Sequence, residues 1–155
     1  MKTWYRFWSL TVFERIALLE AAGALIATYA GLRVTGFRRW RAAVERFTRG
    51  PSVESSFDAS AKAKIGEDLA RMESAAARYL PFRTNCLEQS LVLWWLLRRH
   101  GLAAGLKIGA RKEAGRFEAH AWVEFEGGMI SDMSEEHLHF VPFEGSATAM
   151  ETQAQ

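Results

Sequence analysis

The chain has 155 residues, 49% of them hydrophobic and 25% charged, a balance that excludes a disordered chain and fits one folded domain with or without an appendage. A net charge of +2, with the arginines gathered in one early segment, argues against a general nucleic-acid binder. The single cysteine excludes an internal disulfide, and with no secretory pattern at the N-terminus the expected compartment is a reducing cytoplasm.

Residues 1–50 read as an N-terminal helical region. Thr11 followed by Glu14 fits a capping box, so a helix is predicted to begin near Val12. From Ile16 to Leu32 the run is apolar except for Glu20, Thr28 and two glycines. At about seventeen residues it lies at the short edge of a bilayer span, and it reads as a buried or partner-facing helix with membrane contact as the alternative. Arg33, Arg38, Arg39, Arg41, Arg46 and Arg49 follow, while Phe37, Trp40, Val44 and Phe47 recur at helical spacing on the opposite face. That pattern is either a solvated basic face over an aromatic packing stripe, or a docking surface for an acidic peptide, a partner or anionic headgroups.

Gly50-Pro51 ends the pattern, and residues 51–60 read as a polar connector to a main domain over residues 61–144. Ile65, Leu69, Met72, Ala76 and Tyr79 fall on one face of a regular helix that ends before Pro81. In RTNCLEQSLVLWWLLRRHG, residues 83–101, Asn85 is a good N-cap and Glu88 can return the bond to its amide, which puts Cys86 at the first helical position. The residues that follow are apolar nearly all round, so this helix is central and covered on most sides. Arg98, Arg99 and His100 suit the negative end of its dipole, and Gly101 supplies a left-handed exit.

Beyond Gly101 the period changes to two. GLKIGAR and RFEAHAWVEF read as strands joined by a turn, Gly127-Gly128 leads into a third short strand, MISDM, and LHFVPF is a candidate fourth. Residues 145–155 read as a loose tail.

Three residues stand where chemistry is feasible: Cys86 at a helix N-terminus, His120 in mid-strand, and Asp132 on the next strand. A helix N-terminus and a nearby imidazolium both favour thiolate, the nucleophilic form. The plain structural account makes Cys86 a small packed hydrophobe and His120 a satisfied strand residue. Register distinguishes the two accounts. A two-residue Gly127-Gly128 turn pairs Asp132 with Val123, away from His120. A three-residue loop, Glu126-Gly127-Gly128, pairs Trp122 with Asp132 and sets Asp132 diagonally beside His120, so catalysis predicts that loop or an equivalent bulge.

Gln89, one turn beyond Cys86, is a candidate to line the site, and Trp122, on the face of His120, a candidate to wall its cleft. His100 reads as a helix C-terminal residue, and His137 and His139 lack the ligand spacing of a zinc site, so no metal is expected.

CLEQSLVLWWLLRRHGLAAGLKIGAR followed by FEAHAWVEFEGGMISD resembles the transglutaminase-like, papain-like cysteine peptidases of lasso-peptide biosynthesis, in the form where the peptidase is a chain separate from the leader-binding protein. The likeness is strong over residues 80–135 and looser over the N-terminal helices. It implies an α+β fold in which a central Cys-bearing helix packs on a small antiparallel sheet, preceded by N-terminal helices. It implies that Cys86 is the nucleophile, His120 the base and later acid, and Asp132 the group that orients His120. The implied reaction removes the leader from a ribosomally made precursor, without metal or other cofactor, so that an ATP-dependent cyclase can close a macrolactam. The implied partners are the precursor, a small winged-helix leader-binding protein and that cyclase. Where the family pattern carries a basic residue three positions after the cysteine, this chain has the uncharged Gln89, a departure that bears on a cation at that site and not on the triad. Two alternatives stand beside this reading: acyl transfer to an amine on the same triad, and a non-catalytic interaction module acting through the N-terminal helices.

Overall fold

The computed structural model describes residues 8–48, 58–113, 116–130 and 141–142. Helix α1 spans Val12–Thr35, and its capping box closes in both directions: the Glu14 amide donates to Thr11 Oγ1, and the Thr11 amide donates to Glu14 Oε2 at 2.7 Å. It ends at Gly36, whose φ of 76° is the left-handed conformation that glycine adopts without a Cβ clash. Helix α2, Phe37–Thr48, turns straight back. The two close tightly at Gly31, which lies under the Trp40 ring, and the Trp40 indole donates to Thr28 Oγ1 at 3.2 Å.

Helix α3 spans Ala59–Tyr79 and begins inside the segment read as connector, because Asp58 Oδ1 accepts from the Ala61 amide at 2.7 Å and caps it there. Helix α4 spans Cys86–Arg99. Its Leu91, Val92, Leu93, Trp94, Leu96 and Leu97 are all at most 2% exposed, as the all-round apolar pattern predicts. The left-handed exit at Gly101 is present, at φ 75°.

Strands β1 (Ala104–Glu113), β2 (Arg116–Phe125), β3 (Gly128–Met129) and β4 (Val141–Pro142) form an antiparallel sheet in the order β3-β2-β1-β4. Leu106 of β1 and Val123 and Phe125 of β2 pack on Leu91, Trp94 and Leu97 of α4 and on Leu69 and Met72 of α3. Ala17 of α1 and Val44 of α2 belong to that same core, and Ala21 and Leu25 of α1 join Ala76, Val92 and Leu96 in a second cluster. The N-terminal helices therefore complete the core. The fold is α+β, with the Cys-bearing helix between the other helices and the sheet, as expected.

Two details depart from the sequence reading. Phe47, placed by spacing on the packing stripe of α2, is 83% exposed. Val44 and Trp40 already fill the contact with α1, and Phe47 lies one turn beyond it. The hairpin loop is also different. Phe125 pairs with Gly128 and Glu124 with Met129, so the loop is the two residues Glu126-Gly127, and neither the three-residue loop nor a Gly127-Gly128 turn forms. Both loop residues have positive φ, 51° and 78°, which is the requirement of a type I′ turn, whose twist matches the strands it joins. The Ile130 amide continues this register by donating to the Val123 carbonyl at 3.0 Å. The pairing expected to bring Asp132 beside His120 is thus not the one the hairpin begins. Asp132 itself, with His137 and His139, lies outside the described residues.

By length and composition α1 is apolar enough to cross a membrane, and 28% of its most apolar window is buried inside the protein. Val12, Ile16, Leu19, Ile26 and Val34 form an exposed apolar row along it.

Candidate active site

Cys86 is the first residue of α4 and is half-buried. Asn85, in extended backbone, caps the helix through Oδ1, which accepts from the Glu88 amide at 2.9 Å, and Glu88 Oε2 accepts from the Asn85 amide at 2.9 Å. The closed box fixes the peptide units on either side of Cys86 and leaves its thiol at the positive end of the helix dipole.

The Glu88 side chain is only 2% exposed and needs a partner for its charge. Arg33, near the end of α1, supplies it: Nη1 donates to Glu88 Oε1 at 2.8 Å and to the Tyr29 carbonyl at 2.9 Å. The guanidinium lies 3.3 Å from the centre of the Tyr29 ring, and that ring is 4.2 Å from the ring of Phe82 in the loop leading to Cys86.

On the other side of the helix tip, Gln89 Nε2 donates to Thr84 Oγ1 at 2.9 Å. Gln89 and Thr84 line an open cavity of about 460 Å³ together with Arg78, Pro81, Phe82 and Arg83. Gln89, one turn from Cys86, thus lines this cavity, whose lining does not include Cys86 itself.

The cysteine helix is tied to the strand that carries His120 by a bond that spacing did not reveal. Ser90, four residues after Cys86 and so on the same helix face, donates its hydroxyl to the carbonyl of Ala121, the residue after His120, at 2.8 Å. Ala121 is 2% exposed, while Ala119, two residues back on the same strand face, is exposed, so the cover given by the helices ends there. His120 is half-buried on the alternate face, as expected from the period of two. Its ring stacks nearly parallel with Trp122, centroids 6.3 Å apart, and across the ladder it faces Gly109, which has no side chain to crowd it. Trp122 is only 6% exposed and its indole donates to Glu124 Oε1 at 3.4 Å, so it backs His120 and offers little surface of its own.

His100 is a structural residue at the helix end, with Nε2 3.2 Å from Glu20 Oε2 and its ring edge-on to Phe13. Among the described residues no three His, Cys, Asp or Glu side chains gather as metal ligands. Sequence reasoning missed Ser90, Arg33 and Thr84. Ser90 left a trace, being a polar residue in an otherwise apolar stretch one turn from the cysteine, whereas Arg33 was indistinguishable from the other arginines around it.

A family model described as transglutaminase-like superfamily matches residues 24–144, from the middle of α1 past the whole sheet. No curated protein and no solved structure matches the chain.

Proposed function

Because the chain belongs to the transglutaminase-like superfamily, we propose that it is a cysteine peptidase that removes the leader from a lasso-peptide precursor, with Cys86 as nucleophile, His120 as base and acid, and Asp132 as the residue that orients His120. The observation that carries this reading is the half-buried Cys86 at the tip of a box-capped helix, tied through Ser90 to the strand residue next to His120.

In this reading His120 takes the Cys86 proton and the thiolate attacks the carbonyl carbon at the leader–core junction. This step requires the His120 imidazole, which lies on the face of β2 opposite Ala121, to reach the thiol. The Cys86 amide, at the helix tip, donates to the oxyanion. His120 then protonates the departing amine, the C–N bond breaks, and the leader remains as a thioester on Sγ. Water, deprotonated by His120, attacks the thioester and releases the leader carboxylate and the thiol. The core peptide leaves with a free amine, the nucleophile that an ATP-dependent ring-closing enzyme uses. The groove beside Gln89 and Thr84 receives the peptide, and Trp122 backs the imidazole.

A winged-helix leader-binding protein delivers the precursor, and the exposed apolar row on α1 and the arginines of α2 offer surfaces for it and for the cyclase. The reaction belongs in the cytoplasm, where a lone thiol stays reduced.

The test is mass spectrometry of a cognate precursor incubated with this protein and its leader-binding partner, beside Cys86→Ala. Cleavage at one leader–core bond that vanishes in the variant is the expected result. Equal cleavage by both proteins would sink the nucleophile assignment, and an amide product in place of the leader acid would move the assignment to acyl transfer.

A further inference from the structure

We infer that Arg33, on a helix outside the stretch that carries the cysteine, strand and aspartate, is a positioning residue for Cys86: it holds the Glu88 carboxylate that holds the Asn85 amide. The inference rests on Cys86 being the nucleophile.

The two oxygens of Glu88 have separate tasks. Oε2 accepts from the Asn85 amide at 2.9 Å, while Oε1 accepts from Arg33 at 2.8 Å. A carboxylate with 2% of its side chain exposed is costly to keep charged and in place without a cation, so the half that faces Asn85 depends on the half that faces Arg33. Arg33 is itself held from behind by the Tyr29 carbonyl and the Tyr29 ring, and Tyr29 packs on Phe82. α1 thus grips both the loop before Cys86 and the first turn after it.

The bridge also balances charge. Glu88 sits two residues from Cys86 in the first turn of the helix, where an uncompensated carboxylate opposes a negative sulfur. Arg33 offsets that charge while leaving the helix dipole to favour the thiolate. When Arg33 is lost, Glu88 either turns to water and releases the Asn85 amide, or stays and repels the thiolate. Both outcomes slow chemistry at Sγ without touching the substrate.

Cys86 is the only cysteine, so alkylation by iodoacetamide reports on it alone. At fixed neutral pH, Arg33→Gln is expected to slow alkylation by about ten-fold, Arg33→Lys to recover most of the wild-type rate, and Glu88→Gln in the Arg33→Gln background to recover part of it. With precursor, Arg33→Gln is expected to lower kcat by roughly 10- to 100-fold with KM changed little, because misplacing a nucleophile costs rate rather than binding. Thermal unfolding of each variant establishes that it is folded when assayed. Arg33→Gln that is folded and alkylated within about two-fold of wild type, or faster, overturns the inference, as does Arg33→Lys that is no better than Arg33→Gln. Cleavage surviving in Cys86→Ala would instead remove the nucleophile reading itself, so the two failures are distinct.

Discussion

The Ser90 hydroxyl donates to the Ala121 carbonyl at 2.8 Å in the buried seam between α4 and β2. It is the point at which the cysteine helix is keyed to the histidine strand, since Cys86 is one turn before Ser90 and His120 one residue before Ala121. Apolar contacts press α4 on the sheet, but they have no direction, and this bond sets how far along the strand the helix sits.

Ser90→Ala is therefore expected to cost about 1–3 kcal/mol, because the Ala121 carbonyl stays buried with its donor gone. Urea unfolding measures the stability, and cleavage of the precursor the alignment. An unfolding midpoint equal to that of wild type would show that the bond contributes nothing.

The turn Glu126-Gly127 makes a second prediction. Glu126 has φ 51°, a left-handed conformation that costs a side chain about 1–2 kcal/mol and that asparagine tolerates better. Glu126→Asn is expected to stabilise by about 0.5–1 kcal/mol, and Gly127→Ala, at φ 78°, to destabilise by about 1–2 kcal/mol. A three-residue loop in solution would leave both variants near wild type, so thermal melts of the pair also check the register.

Residues close in sequence made much of this architecture readable. The Asn85-Glu88 and Thr11-Glu14 boxes span three positions each, and local sequence decides whether such bonds close. The period of two in GLKIGAR and RFEAHAWVEF located β1 and β2, and the all-round apolar run located the central helix. The loop between β2 and β3 was misread because glycines at 127 and 128 both suit a turn, and the choice fell on a glutamate in a conformation its type seldom adopts. The Arg33–Glu88 pair is 55 positions apart, and nothing in the spacing of six arginines marks one as the partner of a buried acid. Ser90 was visible as a polar break, but its acceptor is a backbone carbonyl on β2, and backbone acceptors carry no residue-type signal.

Acid should loosen the N-terminus of α1. The Thr11 amide and then its hydroxyl, together with Arg71, hold the Glu14 carboxyl below its ordinary value. A carboxyl lowered in the folded state contributes its full stabilisation above its unfolded value, and that contribution is lost as pH falls through the folded one. Stability of the wild type is thus expected to fall more steeply than that of Glu14→Gln as pH drops from about 5 to about 3. Urea midpoints across that range test it, and parallel curves would show that the box is not coupled to protonation.

Gly23 and Gly31 share α1, yet alanine at the two should act in opposite directions. Within a helix interior, glycine is worse than alanine by about 1 kcal/mol, so propensity alone favours both changes. At Gly23 a Cβ meets nothing within 4 Å, and the gain stands. At Gly31 it would lie 2.2 Å from Trp40 Cε3, against a ring whose indole is tied to Thr28. To admit it, Trp40 must leave that bond or α2 must move off α1, and such overpacking costs about 1–3 kcal/mol, which exceeds the propensity gain. Gly23→Ala is expected to raise the unfolding temperature and Gly31→Ala to lower it. A rise in both would mean that α2 is not held against α1 at Trp40.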